Sequence, residues 1–172
     1  MAVTISGDTG ISAVQAGAVE SGDLAAGAIG GGDLPAGSVI QVVRDSMSTG
    51  VVISSSSEVS IGLSVSFTPK ISNSTVIALV QIASEYEGGT NHGFRDVNLY
   101  RDGVRVDGSD RIALYTASSA FETSYHISPF QFIDAPNTTN TVNYDVRVAT
   151  YIGNPHRFTG NYSHITLMEI AG

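Results

Sequence analysis

A five-residue pattern of apolar and small residues runs along the first part of the chain. A branched apolar residue recurs at every fifth position from 14 to 39, and glycine recurs at every fifth position from 17 to 37. Neither the α-helix nor the β-strand has this period. A short repeat of this kind predicts a repetitive structure in which each unit buries its one apolar side chain against a neighbour. The predicted contact residues are Val14, Val19, Leu24, Ile29 and Leu34.

The neighbour of this repeat is expected to be the same stretch in other copies of the protein. A single copy offers no second apolar segment, so we expect the copies to wind around a common axis as a homotrimer, with glycine where backbones come close. One alternative is a flexible linker rich in small residues. Another is a β-helix, because Gly22-Asp23-Leu24 and Gly32-Asp33-Leu34 resemble the pentapeptide-repeat proteins. Six units would give only about one and a half turns of such a helix, too few to bury a core.

From residue 38 onward the pattern becomes that of β-strands. Apolar and small polar residues alternate strictly over 59–67, which is typical of a strand with one buried face. The stretch 75–83 is nearly all apolar, which predicts a strand covered on both faces. Asp102-Gly103 between two apolar runs predicts a hairpin with a type I′ turn. Further strands are predicted at 39–43, 51–53, 112–117, 121–133, 142–148 and 162–170, and a polar, glycine-rich loop at 85–93.

These elements predict an all-β protein in two parts. No stretch shows the apolar spacing and caps of a helix. Several short strands separated by turn residues favour a jelly-roll-like β-sandwich head over 38–172. Residues 1–37 form an extended N-terminal arm, expected to serve as anchor and trimerisation segment.

Composition narrows the choice of partners. The formal net charge is −8, from 16 acidic and 8 basic residues, and every Lys and Arg lies at or after Arg44. Binding to nucleic acid depends mainly on neutralising phosphates, so we expect no nucleic-acid partner. No apolar run reaches the length of a membrane span, and we expect no membrane partner. Cysteine is absent, which excludes disulfides and thiolate metal sites.

Four stretches resemble virion proteins of tailed bacteriophages. They lie at 33–43, 61–70, 98–103 and 165–172, and read DLPAGSVIQVV, IGLSVSFTPK, NLYRDG and ITLMEIAG. The resemblance is to trimeric capsid-decoration (cement) and tail-fibre-tip proteins with a thin N-terminal stalk and a β-sandwich head. It implies a virion location, on the capsid surface or the tail, and a major capsid protein or other virion protein as partner. It carries over no catalytic or ligand residues.

The polar residues suggest no catalytic constellation. His92 and His156 fall in predicted loops and His126 and His164 in predicted strands, so no local metal pair is visible, although a site across a trimer axis stays open. Asp102, Asp107 and Asp110 lack the spacing of a calcium loop and are typical of turns. We therefore expect no cofactor, no metal within one chain and no enzyme activity. The candidate surface-recognition loop, suited to a host glycan, contains Glu85, Tyr86, Glu87 and His92.

Three functions are compatible with these features: a capsid decoration protein, a receptor-binding fibre tip that recognises host surface glycans, and an enzyme acting on polysaccharide. The enzyme lacks a recognisable set of catalytic residues. Thirty-seven extended residues span at most about 120–130 Å. This reach favours a projection standing on a shell over a fibre that extends to a host.

Replacing Leu24 and Ile29 together with Ser is expected to weaken trimerisation or attachment to the particle while the head stays folded. Full burial of one such side chain contributes roughly 1.5–3 kcal/mol, and a trimer contains each position three times. Sedimentation of the full chain measures the effect, and replacement of Glu85 and Glu87 is the control that should leave assembly unchanged. A double variant that assembles like the parent would show that the arm is only a tether.

Overall fold

The computed structural model describes residues 29–86, 94–106, 124–150 and 155–172. A single turn of 3-10 helix, Gly31–Asp33, precedes ten strands in these residues. The strands are β1 Val39–Ser46, β2 Val51–Ile53, β3 Val59–Phe67, β4 Thr75–Tyr86, β5 Phe94–Arg101, β6 Val104–Arg105, β7 Ser124–Asp134, β8 Val142–Thr150, β9 His156–Phe158 and β10 His164–Ile170.

The strands form two antiparallel sheets. In the larger sheet β1 pairs with β10, β10 with the first half of β4, and β7 with the whole length of β4 on its other side. The second half of β4 also pairs with β9, which continues the sheet to β2. The smaller sheet has the order β3-β8-β5-β6. The all-β prediction and the sandwich are therefore confirmed.

The core lies between the two sheets and follows the period-two pattern of the sequence. Burial along β3 alternates strictly, with every second side chain facing inward. Phe67 packs edge-on against Tyr144 of β8, with ring centroids 6.2 Å apart, and both side chains are buried. Strand β10 supplies Ile165 and Leu167 from the opposite sheet. Alternation thus places one apolar face of each sheet against the other.

The hairpin between β5 and β6 confirms the predicted turn. Asp102 and Gly103 have φ angles of 49° and 82°, the positive values that both central residues of a type I′ turn require. The carboxylate of Asp102 accepts a hydrogen bond from the backbone N–H of Asn143, and the Asp102 N–H donates to the Asn143 carbonyl. The turn is therefore anchored to the neighbouring strand β8.

Three sequence-based expectations were wrong. Strand β4 continues through Glu85 and Tyr86, so these two residues belong to a strand, where pairing with β7 and β9 extends the ladder beyond the apolar run. Within one chain, strand β4 is not covered on both faces, because Leu79 is 41% exposed. His156 is buried in β9, and its ring lies tilted against that of Phe158, with ring centroids 5.3 Å apart. The strand predicted at 112–117 lies outside the described residues.

A buried carboxylate closes the end of the sandwich at which the arm enters. Glu169 of β10 is fully buried. Its two oxygens accept hydrogen bonds from the side-chain amide of Gln41 at 2.6 Å, from the backbone N–H of Lys70 at 2.8 and 3.1 Å, and from that of Ile71 at 3.2 Å. One side chain thereby joins β1, β10 and the connection from β3 to β4.

Among the described residues, none forms a helix with the length and apolarity that crossing a bilayer requires.

We expect Glu169→Gln to lower the free energy of unfolding by about 1–3 kcal/mol. The amide retains only one acceptor oxygen and turns an NH₂ group toward backbone donors. Urea denaturation followed by tyrosine fluorescence measures the change. The matched control is Glu85→Gln. The Glu85 carboxylate lies 3.7 Å from the Arg157 guanidinium in a weak ion pair, so we expect this variant to lose less than about 1 kcal/mol of unfolding free energy. Equal midpoints for the parent and Glu169→Gln would contradict this assignment.

Candidate functional site

The outward surface of the larger sheet carries a row of apolar side chains across four strands. Val42 of β1 is paired directly with Met168 of β10, Met168 with Ile77 of β4, and Ile77 with Ile133 of β7. Directly paired residues point to the same side of an antiparallel sheet. Inward residues alternate with these positions, so the row faces away from the core. We call this surface of β1, β10, β4, β7, β9 and β2 the outer face.

Large apolar side chains are exposed over much of the outer face. Val42 is 56% exposed, Ile127 63% and Ile133 61%. Among the exposed large apolar residues in the described ranges, all but Ile29 and Val104 belong to this side. They are Val39, Val42, Val52, Leu79, Tyr125, Ile127, Ile133 and Tyr162. Contiguous apolar surface of this kind marks interaction sites, whereas single exposed apolar residues are ordinary.

Two shallow depressions lie on the outer face. The first, of about 370 Å³, lies between β10, β4 and β7, and is lined by Leu79, Gln81, Pro129, Gln131 and His164 among others. The second, of about 340 Å³, lies farther along the same strands and is lined mainly by Ala83, Tyr125, Ile127 and Tyr162. A partner surface with protruding side chains would fit into these depressions.

Few charges interrupt the outer face. At its far end the carboxylate of Glu85 accepts a hydrogen bond from the Tyr125 hydroxyl at 3.1 Å and lies 3.7 Å from the Arg157 guanidinium. Partial burial, followed by the positive charge of Arg44, lowers the pKa of His164 below its usual value. The imidazole is therefore held in its neutral form at pH 7, and the centre of the face is largely uncharged.

The outward side of the smaller sheet differs, because its polar groups bind one another. Glu58 accepts hydrogen bonds from the Asn98 amide and the Tyr100 hydroxyl. The Arg147 guanidinium lies 4.2 Å from the centroid of the Tyr100 ring and donates to Asp145 at 2.8 Å. The hydrogen bond to Glu58, followed by burial, raises the pKa of Tyr100. These contacts connect neighbouring strands, and they pair the charged groups with one another.

The arm joins the head beside β1, at the edge of the larger sheet. The N–H of Gly37 donates to the carbonyl of Ala171, and the N–H of Ala171 donates to the carbonyl of Ser38, both at 2.8 Å. The backbone of Gly31 lies against Ile40 and Ile71 so closely that an added Cβ would stand 3.0 Å from Ile40. The end of the repeat is therefore fixed to the head next to β1 and the C-terminal end of β10.

The structure describes only part of the predicted sites. Of the predicted arm contacts, Ile29 is exposed and Leu34 is half-buried, while Val14, Val19 and Leu24 lie outside the described residues. Of the predicted recognition loop, Glu85 and Tyr86 lie in β4, and Glu87 and His92 lie outside the described residues. In the described ranges, no group of three or more side chains is arranged to hold a metal ion.

Sequence reasoning missed the outer face. Its signal was present in the apolar run of β4, which was interpreted as a strand covered on both faces. Within the described residues, β7 shows the same feature, since its outward positions alternate with buried Phe132 and half-buried Phe130 yet carry Ile127 and Ile133. Apolar residues on both faces of neighbouring strands indicate a surface that a partner covers.

Comparison with known proteins adds little to this description. No protein-family model matches the sequence, and a search of curated proteins finds no match. Among the solved structures, a chain of infectious bursal disease virus, Gx strain, aligns over 77% of this chain and 32% of its own length, with 9% identity and a TM-score of 0.42. This chain therefore spans about a third of that viral chain. A similarity this low carries no argument about function, and the resemblance to tailed bacteriophages stays a prediction.

We expect the stability of the protein to fall as the pH drops from about 7 to about 5, with His164 responsible for part of the decrease. The pKa of His164 is lower in the folded state than in the unfolded state, so in this range the unfolded state binds more protons, and acid favours unfolding. Urea titrations at several pH values measure the slope. His164→Gln should flatten it, and an unchanged slope in this variant would contradict the assignment.

Proposed function

We propose that the chain is a non-enzymatic structural protein of a tailed-phage virion, a homotrimeric decoration protein of the capsid anchored by its N-terminal arm. The observation that carries the proposal is the exposed apolar outer face on the sheet to which the arm is attached. A surface of this kind suits a protein that works by assembling with other chains.

The polar groups of the head support a structural role. Glu58, Asp134, Asp145 and Glu169 each accept hydrogen bonds from groups on neighbouring strands or loops. Arg101 is held 2.5 Å from Asp134, to which the buried Tyr144 hydroxyl also donates at 2.6 Å. Burial and the bond to Asp134 raise the pKa of Tyr144, which keeps the phenol protonated. These groups tie strands together, as a projecting domain exposed to shear and dilution requires.

The arm supports attachment to a larger assembly. Its five-residue repeat supplies one apolar side chain per unit, and its charged residues are all acidic. A basic or uncharged surface of a capsid protein is the partner that suits it best. The resemblance of 33–43 and 165–172 to phage virion proteins falls on the two segments that meet where the arm joins the head.

Immunogold labelling of intact particles of the virus that encodes the chain tests the location. We expect label over the capsid surface. Label confined to the tail tip would replace the decoration role with that of a receptor-binding fibre. Particles without label, checked by mass spectrometry of their protein content, would contradict a virion role altogether. Sedimentation of the purified chain tests the trimer, which a monomer at micromolar concentration would contradict.

A further inference from the structure

We propose that the outer face of the larger sheet is the surface through which the heads of one trimer contact one another. The occupant is thus a neighbouring copy of this chain, with the β1 side of one outer face against the β7 side of the next. The inference rests on the proposed function, because it assumes that the arms gather the copies. It adds the part of the head that completes the assembly and the residues that carry it.

The position of the arm is the first argument. Residues 1–28 precede the described part of the chain, and the repeat ends against β1, which is an edge strand of the larger sheet among the described residues. Arms wound about a common axis place the start of each β1 next to that axis. The exposed side chains of Val39 and Val42 lie on this strand. The outer face therefore begins at the point where neighbouring heads come closest.

Charge is the second argument. Each copy has a formal net charge of −8, so two arbitrary surfaces repel each other. Among the described residues of the outer face, the titratable side chains other than tyrosine are Arg44, His164, Glu85 and Arg157, and the last two lie close to each other at the far end. Apposing two copies of this face brings together no excess of negative charge. The acidic character of the chain therefore does not oppose this contact.

Size is the third consideration. The six strands of the outer face, spaced about 4.8 Å apart and rising about 3.4 Å per residue, together give a face of roughly 700 Å². A standard protein interface buries about 800 Å² per partner, whereas this face is shared by two neighbours at about 350 Å² each, so the head contacts are small and depend on the arms to gather the copies. In a three-fold arrangement each head contacts one neighbour through its β1 side and the other through its β7 side. The row from Val42 to Ile133 spans these two sides.

The experiment uses the full chain, which lacks cysteine and therefore accepts single reporter thiols. Leu79→Cys and Ile133→Cys place a thiol on the outer face, and Val104→Cys places one on an exposed residue of the smaller sheet. We expect a maleimide reagent to label Cys at 79 and 133 more slowly than at 104, on the order of tenfold, in the native assembly and equally fast in urea. Equal native rates at all three positions would overturn the proposal.

Association is measured in parallel with charged variants. Ile133→Asp is expected to weaken trimerisation by about tenfold or more, while Val104→Asp, at a comparably exposed residue, leaves it unchanged. Circular dichroism checks that both variants are folded. If Ile133→Asp assembles like the parent, and the thiol of Ile133→Cys is not protected from the maleimide, the heads do not contact one another through this face.

The outcomes separate this inference from the proposed function. Suppose that the Leu24→Ser/Ile29→Ser variant loses the trimer, that Ile133→Asp has no effect, and that the thiols at 79 and 133 are not protected from labelling. This result supports the arm-based trimer and overturns the head contact. Protection together with loss of the trimer in Ile133→Asp supports the head contact even where the arm variant assembles normally. A monomeric parent overturns both. Thiols that are reactive in the free trimer but protected on the particle would assign the face to a virion partner and overturn self-association.

Discussion

The buried carboxylate of Glu169 is the contact on which the arrangement of arm and head depends. It accepts hydrogen bonds from β1 through Gln41 and from the backbone of the connection that contains Lys70 and Ile71. Ile71 in turn packs beside Gly31, at the end of the five-residue repeat. A buried charge is stable only when its hydrogen-bonding capacity is met, and here backbone donors meet it. The carboxylate thus links β1 to the connection against which the end of the repeat packs.

The outward surfaces of the two sheets differ in the residues that they carry. The smaller sheet covers its strands with cross-strand ionic and aromatic contacts, among them Glu58 with Tyr100 and Arg147 with Asp145. These contacts are internal to the sheet. The larger sheet has apolar residues on both faces over β4 and β7, and within the described residues several large outward ones, such as Leu79, Ile127 and Ile133, are exposed. The asymmetry favours the larger sheet as the side for the proposed assembly.

The alternation of residues allowed the strands to be predicted closely, because their inward positions are apolar and their turns carry distinctive residues. The bounds of β2 and β3 and the Asp102-Gly103 turn were predicted correctly. The errors have one origin: local pattern does not reveal which strands pair. Strand β4 runs past its apolar stretch because β7 and β9 supply ladder partners for Glu85. Glu169 and His156 are polar residues whose burial is determined by distant segments, which no local period encodes.

The arm and the outer face complement each other energetically in the proposed trimer. A fully apolar head surface would aggregate in the free chain, whereas the outer face mixes Val, Leu and Ile with Gln81, Gln131 and Thr166. We expect two such surfaces on separate chains to associate only weakly in solution. Once the arms hold three heads together, the local concentration of neighbouring faces rises to about the millimolar range, and weak contacts become sufficient. In the proposed trimer the repeat brings the copies together, and the outer face orients their heads. Neither segment needs to be strongly apolar in this arrangement.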